Sequence, residues 1–169
     1  MGMSHLEHKA RAPRHVACAV LTISDTRTES TDTGGRLLVS LLEEAGHAVI
    51  ARGLVRDEPA LVRAFVEQQA ARPEIDAIVT TGGTGISSRD RTYEAIAGLL
   101  SPRLDGFGEL FRALSYQEIG PAAMLSRACA GVFRETLVVM LPGSEHAIRL
   151  AMTKLVLPEL GHLVREIGR

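Results

Sequence analysis

The 169-residue chain has net charge −1, with 46% hydrophobic and 23% charged residues, the composition of one ordinary globular domain with a full core. No run approaches the roughly 20 apolar residues of a bilayer-spanning helix, and the N-terminal MGMSHLEHKARAPR lacks the apolar centre of a signal peptide. The scattered basic residues argue against nucleic acid, so the expected partners are small molecules, with no membrane.

Residues 1–14 read as a flexible tail and 15–169 as a single domain. VACAVLTI (16–23) is a continuous apolar run suited to a strand buried on both faces, and it empties into the polar loop SDTRTESTDTGG. The next segment puts Leu37, Leu38, Leu41, Leu42 and Ala45 on one helical face, with Gly46 placed to stop the helix. HAVIARGLV (47–55) reads as a second strand. A helix follows, with Pro59 in its first turn, Asp57 as a candidate cap, and Leu61, Val62, Phe65, Val66 and Ala70 toward the core.

IDAIVTT (75–81) is the third strand. RTYEAIAGLL (91–100) is a short helix closed before Ser101-Pro102, and a further helix is predicted from about Glu109. After a turn near Arg134-Glu135, TLVVMLPGS (136–144) supplies another strand. A last helical stretch starts at Ser144, and Pro158 is expected to kink or interrupt it. Alternating strands and helices predict a three-layer α/β/α sandwich on a mostly parallel sheet.

Cys18 and Cys129 stand outside any CxxC pair, which argues against a zinc or redox motif. Two buried, reduced thiols in a cytoplasmic protein are the expectation. The tail histidines have no partners at metal-ligand spacing, His47 starts a strand and His146 and His162 lie on the last helical stretch, so no histidine is assigned a catalytic role.

The chemistry concentrates where the third strand ends, in TTGGTGISSRD (80–90). Ligands of open α/β sheets bind beyond the carboxyl ends of the strands, and the loops at 24–35, 56–59 and 141–146 end strands as well. Gly82, Gly83 and Gly85 let backbone N–H groups approach an anion, and Thr81, Thr84, Ser87 and Ser88 add hydroxyls. The loop has neither Walker nor Rossmann spacing, and a tight strand-to-helix turn would account for the glycines alone. Asp90 beside a phosphate cradle calls for a cation, and Mg²⁺ takes one or two carboxylates plus phosphate oxygens; Asp57 is the candidate second ligand. Helix capping explains each aspartate singly. Ser144 reads as an N-cap that could face an anion, and Arg127 as a surface arginine or a phosphate partner.

TTGGTG with Arg89-Asp90, then GFGELFR (106–112), LSYQEIG (114–120), LSR (125–127) and LPGS (141–144), in this order, resemble the MoaB/MogA molybdenum-cofactor biosynthesis family, most of all its MoaB branch. The resemblance implies a trimer, or a hexamer of two trimers. It implies Mg²⁺-dependent transfer of AMP from ATP to the terminal phosphate of molybdopterin, with a molybdenum insertase using the product. It carries Asp57 and Asp90 over as catalytic and Mg²⁺-binding residues. Gly82, Gly83, Thr84, Gly85, Ser24, Asp25, Glu109, Ser126, Arg127 and Ser144 are implied to bind substrate and phosphate, and Asp32 with Gly34 matches the motif opening the first helix. Tyr93, where many relatives have proline, and Glu145-His146, in place of small or basic residues, depart from the pattern. The alternative is a non-catalytic molybdopterin-binding paralogue with a storage, delivery or regulatory role; Glu145 beside the phosphate corner favours it, and intact aspartates oppose it.

Overall fold

The structure is a computed structural model that describes residues 13, 15–87 and 91–168. The proposed tail, apart from Pro13, and Ser88, Arg89 and Asp90 lie outside the described residues. Five strands form one sheet in the order β2-β1-β3-β5-β4: β1 (Ala17–Ile23), β2 (Ala48–Val55), β3 (Ala77–Thr81), β4 (Cys129–Phe133) and β5 (Thr136–Leu141). The first four neighbours in that order run parallel, and β4 pairs antiparallel with β5. The helices are α1 (Thr33–Glu44), α2 (Pro59–Ala70), α3 (Thr92–Ala97), α4 (Asp105–Ile119), α5 (Glu145–Ala151) and α6 (Leu157–Ile167).

The period-2 alternation of strand side chains divides the core into two layers. Cys18, Val20, Val79, Leu137 and Val139 face one side with Leu38 and Leu42 of α1, Phe111 of α4, Ile148 of α5 and Leu160 of α6. Ala19, Leu21, Ile78, Val138 and Met140 face the other with Val62 and Val66 of α2 and Ile96 of α3. The sheet is buried on both faces, which is why β1, β3 and β5 read as unbroken apolar runs. The sandwich expected from the sequence is the one observed.

Helix α1 ends as its glycine foretells. Gly46 has φ +88°, and the Gly46 and His47 amides donate to the carbonyls of Glu43 and Leu42, both at 2.9 Å, the paired closure of a left-handed C-terminal residue.

The departures have local causes. Ala45 and Leu61 are exposed rather than buried: Ala45 is the C-cap just after the last residue of α1, and Leu61 stands one position off the Val62–Val66–Gln69 stripe that α2 buries. Helix α4 begins at Asp105, four residues before Glu109, because two glycines in DGFG obscure a turn that Phe107 and Phe111, stacked at 6.4 Å, hold in place. CAGVF is a strand the sequence pattern does not announce; it leads into β5 through a turn at Arg134, whose φ is +56°. Pro158 does not break the last helix. It has no N–H for the Lys154 carbonyl, and a single π-type turn over Met152–Val156 carries the helix past it.

Candidate functional site

Four strand ends meet along one edge of the sheet. The Ser24 amide donates to the Val55 carbonyl at 2.9 Å, and the Asp57 amide donates to Asp25 Oδ1 at 3.2 Å. These bonds join the loops after β1 and β2. The Gly82 amide donates to the Leu141 carbonyl at 3.0 Å, and Thr81 Oγ1 donates to the Pro142 carbonyl at 2.9 Å, joining the loops after β3 and β5. The close approach is possible only without side chains: a Cβ on Gly82, whose φ is +93°, would lie 2.1 Å from the Ile23 carbonyl oxygen. Ser24, Asp25, Asp57, Gly82, Gly83 and Ser144 are therefore brought to one edge, as expected.

Asp57 does not cap α2. The residue before that helix is Glu58, which makes no side-chain cap bond. Asp57 Oδ1 instead accepts from the buried hydroxyl of Thr92, the first residue of α3, at 2.5 Å. This bond anchors the Asp57 carboxylate to the start of α3. Among the described residues no group of three or more His, Cys, Asp or Glu side chains gathers to hold a metal, so no all-protein cage exists there.

Arg127 makes contacts that the sequence did not specify. Its guanidinium reaches across to the glycine loop, donating from Nε to the Thr84 carbonyl at 3.0 Å and from Nη2 to the Gly85 carbonyl. Nη1 pairs with Glu94 of α3, and the guanidinium lies 4.6 Å above the Tyr93 ring. Arg127 thus clamps the loop through its carbonyls while sitting beside the cradle. Tyr93, the departure from the family pattern, is the platform under this clamp.

Ser144 caps α5, accepting from the Ala147 amide at 3.2 Å as predicted. It also lines a cavity of about 320 Å³ with Ser115, Ser126, Pro142 and His146. Gly143, between the lining residues Pro142 and Ser144, packs on the glycine loop: a Cβ there would lie 3.5 Å from the Gly82 Cα. Glu118 reaches His146 Nε2 at 2.8 Å across the α4–α5 gap. Ser126 and Ser144 are brought together; Glu109 is not brought to them. It lines a separate cavity of about 260 Å³ with Tyr93, Arg103, Arg112 and Cys129.

Sequence reasoning missed Thr92, Glu94 and Tyr93 as partners of the site. Their motif neighbours were visible, but only the folded α3 shows that Thr92 turns toward Asp57 and Glu94 toward Arg127. The thiols match expectation: Cys18 and Cys129 are buried and unbonded to one another. Burial, aided by the Asp76 charge, pushes Cys18 up to about 12.

A family model described as "Probable molybdopterin binding domain" matches residues 19–162. "Molybdenum cofactor biosynthesis protein B" of Bacillus subtilis is 52% identical over 168 residues, covering 99% of each chain. Among solved structures, a "Molybdenum cofactor biosynthesis protein B" superposes with TM-score 0.90 at 49% identity, over 94% of this chain and 99% of that one. The "tungsten cofactor synthesizing protein MoaB from Pyrococcus furiosus" gives TM-score 0.82 at 35% identity, over 94% and 100%.

Proposed function

We propose, for a chain that belongs to the molybdenum cofactor biosynthesis protein B (MoaB) family, that it binds molybdopterin and transfers AMP to its terminal phosphate from ATP. The observation that carries this reading is the junction of Asp57, anchored by Thr92, with a glycine loop and a serine-lined cavity at one sheet edge. Phosphoryl-type transfer needs positioning and charge neutralisation more than a protein nucleophile, and this edge offers the first.

In the proposed reaction an ionised oxygen of the molybdopterin phosphate attacks the α-phosphorus of ATP. The bond from that phosphorus to the bridging oxygen breaks, and pyrophosphate leaves. Ser126 and Ser144 are suited to hold the molybdopterin phosphate by hydroxyl donation. Gly83, Thr84 and Gly85 shape the neighbouring cradle, and Arg127 keeps that loop closed while adding positive potential. Asp57 supplies a hard oxygen donor on an anchored carboxylate, which fits a cation that takes one or two carboxylates plus phosphates. Asp57 and Asp90 would hold Mg²⁺, which when bound neutralises charge on the transferring and leaving phosphates. We extend the reading to a cytoplasmic homotrimer or hexamer that hands its product to a molybdenum insertase.

A second reading, molybdopterin binding without turnover, is favoured by Glu145 in the first turn of α5, where a carboxylate opposes phosphate. Comparing Asp57→Ala with wild type separates the two. The adenylyltransferase reading expects loss of turnover with molybdopterin binding retained. Unchanged turnover in both Asp57→Ala and Asp90→Ala would remove the aspartates from the mechanism.

A further inference from the structure

Beneath the site lies a charged group that the proposed chemistry leaves unused. Asp32 is 0% exposed and caps α1, its Oδ1 accepting from the Gly35 amide of the first turn at 2.9 Å. Its other oxygen accepts from Thr22 Oγ1 of β1 at 2.9 Å and from Arg52 Nη2 of β2 at 2.7 Å. One carboxylate therefore ties together the two edge-side strands and the helix that follows them. A Cβ on Gly35 would lie 2.2 Å from that same carboxylate, so the close approach depends on glycine there.

A buried charge is held only when its partners are in place. Here they are: burial alone would push the Asp32 carboxyl up, but the Arg52, Gly35 and Thr22 hydrogen bonds and the Arg52 charge hold it below the usual carboxylate range. Arg52 itself is 38% exposed, so it screens the carboxylate from the solvent side of the edge strand.

The geometry has a direct consequence for the loop between β1 and α1. Thr22 is two residues before Ser24, and Asp32 closes the same loop from its far end. Between them the loop is tied to itself, with Arg27 Nη1 donating to the Thr31 carbonyl at 2.7 Å and Arg36 Nη1 to the Glu29 carbonyl at 2.9 Å. The loop is thus cross-tied internally and fastened at its two ends through Thr22 and Asp32. Its leading end carries Asp25, which receives the Asp57 amide. At its trailing end, a Cβ on Gly34 would lie 3.8 Å from the Gly143 carbonyl, so the start of α1 abuts the loop after β5.

We propose that Asp32, held by Arg52 and Thr22, is a positioning residue that sets the Ser24–Asp25 loop and the start of α1 against Asp57 and Gly143. It does not touch the reacting groups. Its consequence for catalysis rests on the adenylyltransferase reading above; its consequence for loop order does not.

The test uses the full chain as Arg52→Met, Asp32→Asn and the double variant. Hydrogen–deuterium exchange over 24–34 is read beside molybdopterin adenylylation with Mg²⁺ and ATP. Arg52→Met leaves the buried carboxylate without its cation, so exchange in this segment rises at least tenfold and kcat falls at least tenfold, while exchange in β3 and β5 stays at wild-type rates. The double variant removes charge and countercharge together and recovers most of the protection and the rate. Thr22→Val, a milder change, gives a smaller effect of the same kind if Arg52→Met fails to fold. Wild-type exchange over 24–34 in both Arg52→Met and Thr22→Val would overturn the proposal, as would a double variant no better protected than Arg52→Met. If the wild-type protein makes no adenylylated product, the catalytic reading falls, and the exchange measurement still decides the positioning role.

Discussion

Replacing Gly82 by alanine tests how tightly the sheet edge is drawn together. The substitution adds a methyl 2.1 Å from the Ile23 carbonyl oxygen in a residue at φ +93°. The left-handed backbone alone costs a non-glycine residue about 1–2 kcal/mol. Relieving the overlap requires β1 and β3 to part where they end, which strains the Gly82–Leu141 hydrogen bond of 3.0 Å, a further contribution of about 1 kcal/mol. The expected loss is about 2–3 kcal/mol, or roughly 4–12 °C in Tm for a chain of this size. Gly46→Ala is the control. Its φ is +88° with nothing within 4 Å of the added carbon, so only the backbone term of about 1–2 kcal/mol applies. Urea unfolding of both variants at one protein concentration gives the difference from the midpoints, provided m is unchanged. Equal losses in the two variants would refute the close approach of the strand ends.

Thr80 Oγ1 is a buried hydroxyl without a partner among the described residues, so Thr80→Val should stabilise the protein by about 1 kcal/mol; a loss of that size in thermal unfolding would show that the hydroxyl is satisfied. The Asp32 carboxyl is held down in the folded state, so its contribution is present above the unfolded pKa of about 3.9 and is lost as pH falls through the folded value. The stability gap between wild type and Asp32→Asn should therefore narrow as pH drops from about 5 toward 3, and a gap independent of pH would contradict an ionised Asp32. Cys18 is pushed up to about 12 and Cys129 is raised, both chiefly by burial. Neither thiol should react with a disulfide reagent at pH 8 within minutes unless urea is added, and a fast native reaction would show that one is accessible.

The apolar strands were legible because burial on both faces leaves an unbroken run, and Gly46 was legible because a left-handed helix end has one preferred residue. β4 was not. Cys129–Phe133 follows a 3₁₀ turn over Gly120–Leu125, and its pairing with β5 depends on a hairpin at Arg134 that carries no glycine. At the site, the motifs named the loops correctly but not their contacts. Asp57 looked like a cap because Pro59 follows it, yet its partner is Thr92, 35 residues away. Arg127 read as a surface arginine or a phosphate partner, and the fold adds a grip on the loop carbonyls that neither reading named. Such choices are made by tertiary packing, which local spacing does not encode. Asp90, the other proposed Mg²⁺ ligand, lies outside the described residues.

The most direct measurement incubates the purified protein with molybdopterin, ATP and Mg²⁺ and follows adenylylated molybdopterin by mass spectrometry together with released pyrophosphate. The account predicts both products in equal amounts, dependent on Mg²⁺ and absent in Asp57→Ala. Tight molybdopterin binding by the wild-type protein with neither product formed would contradict it.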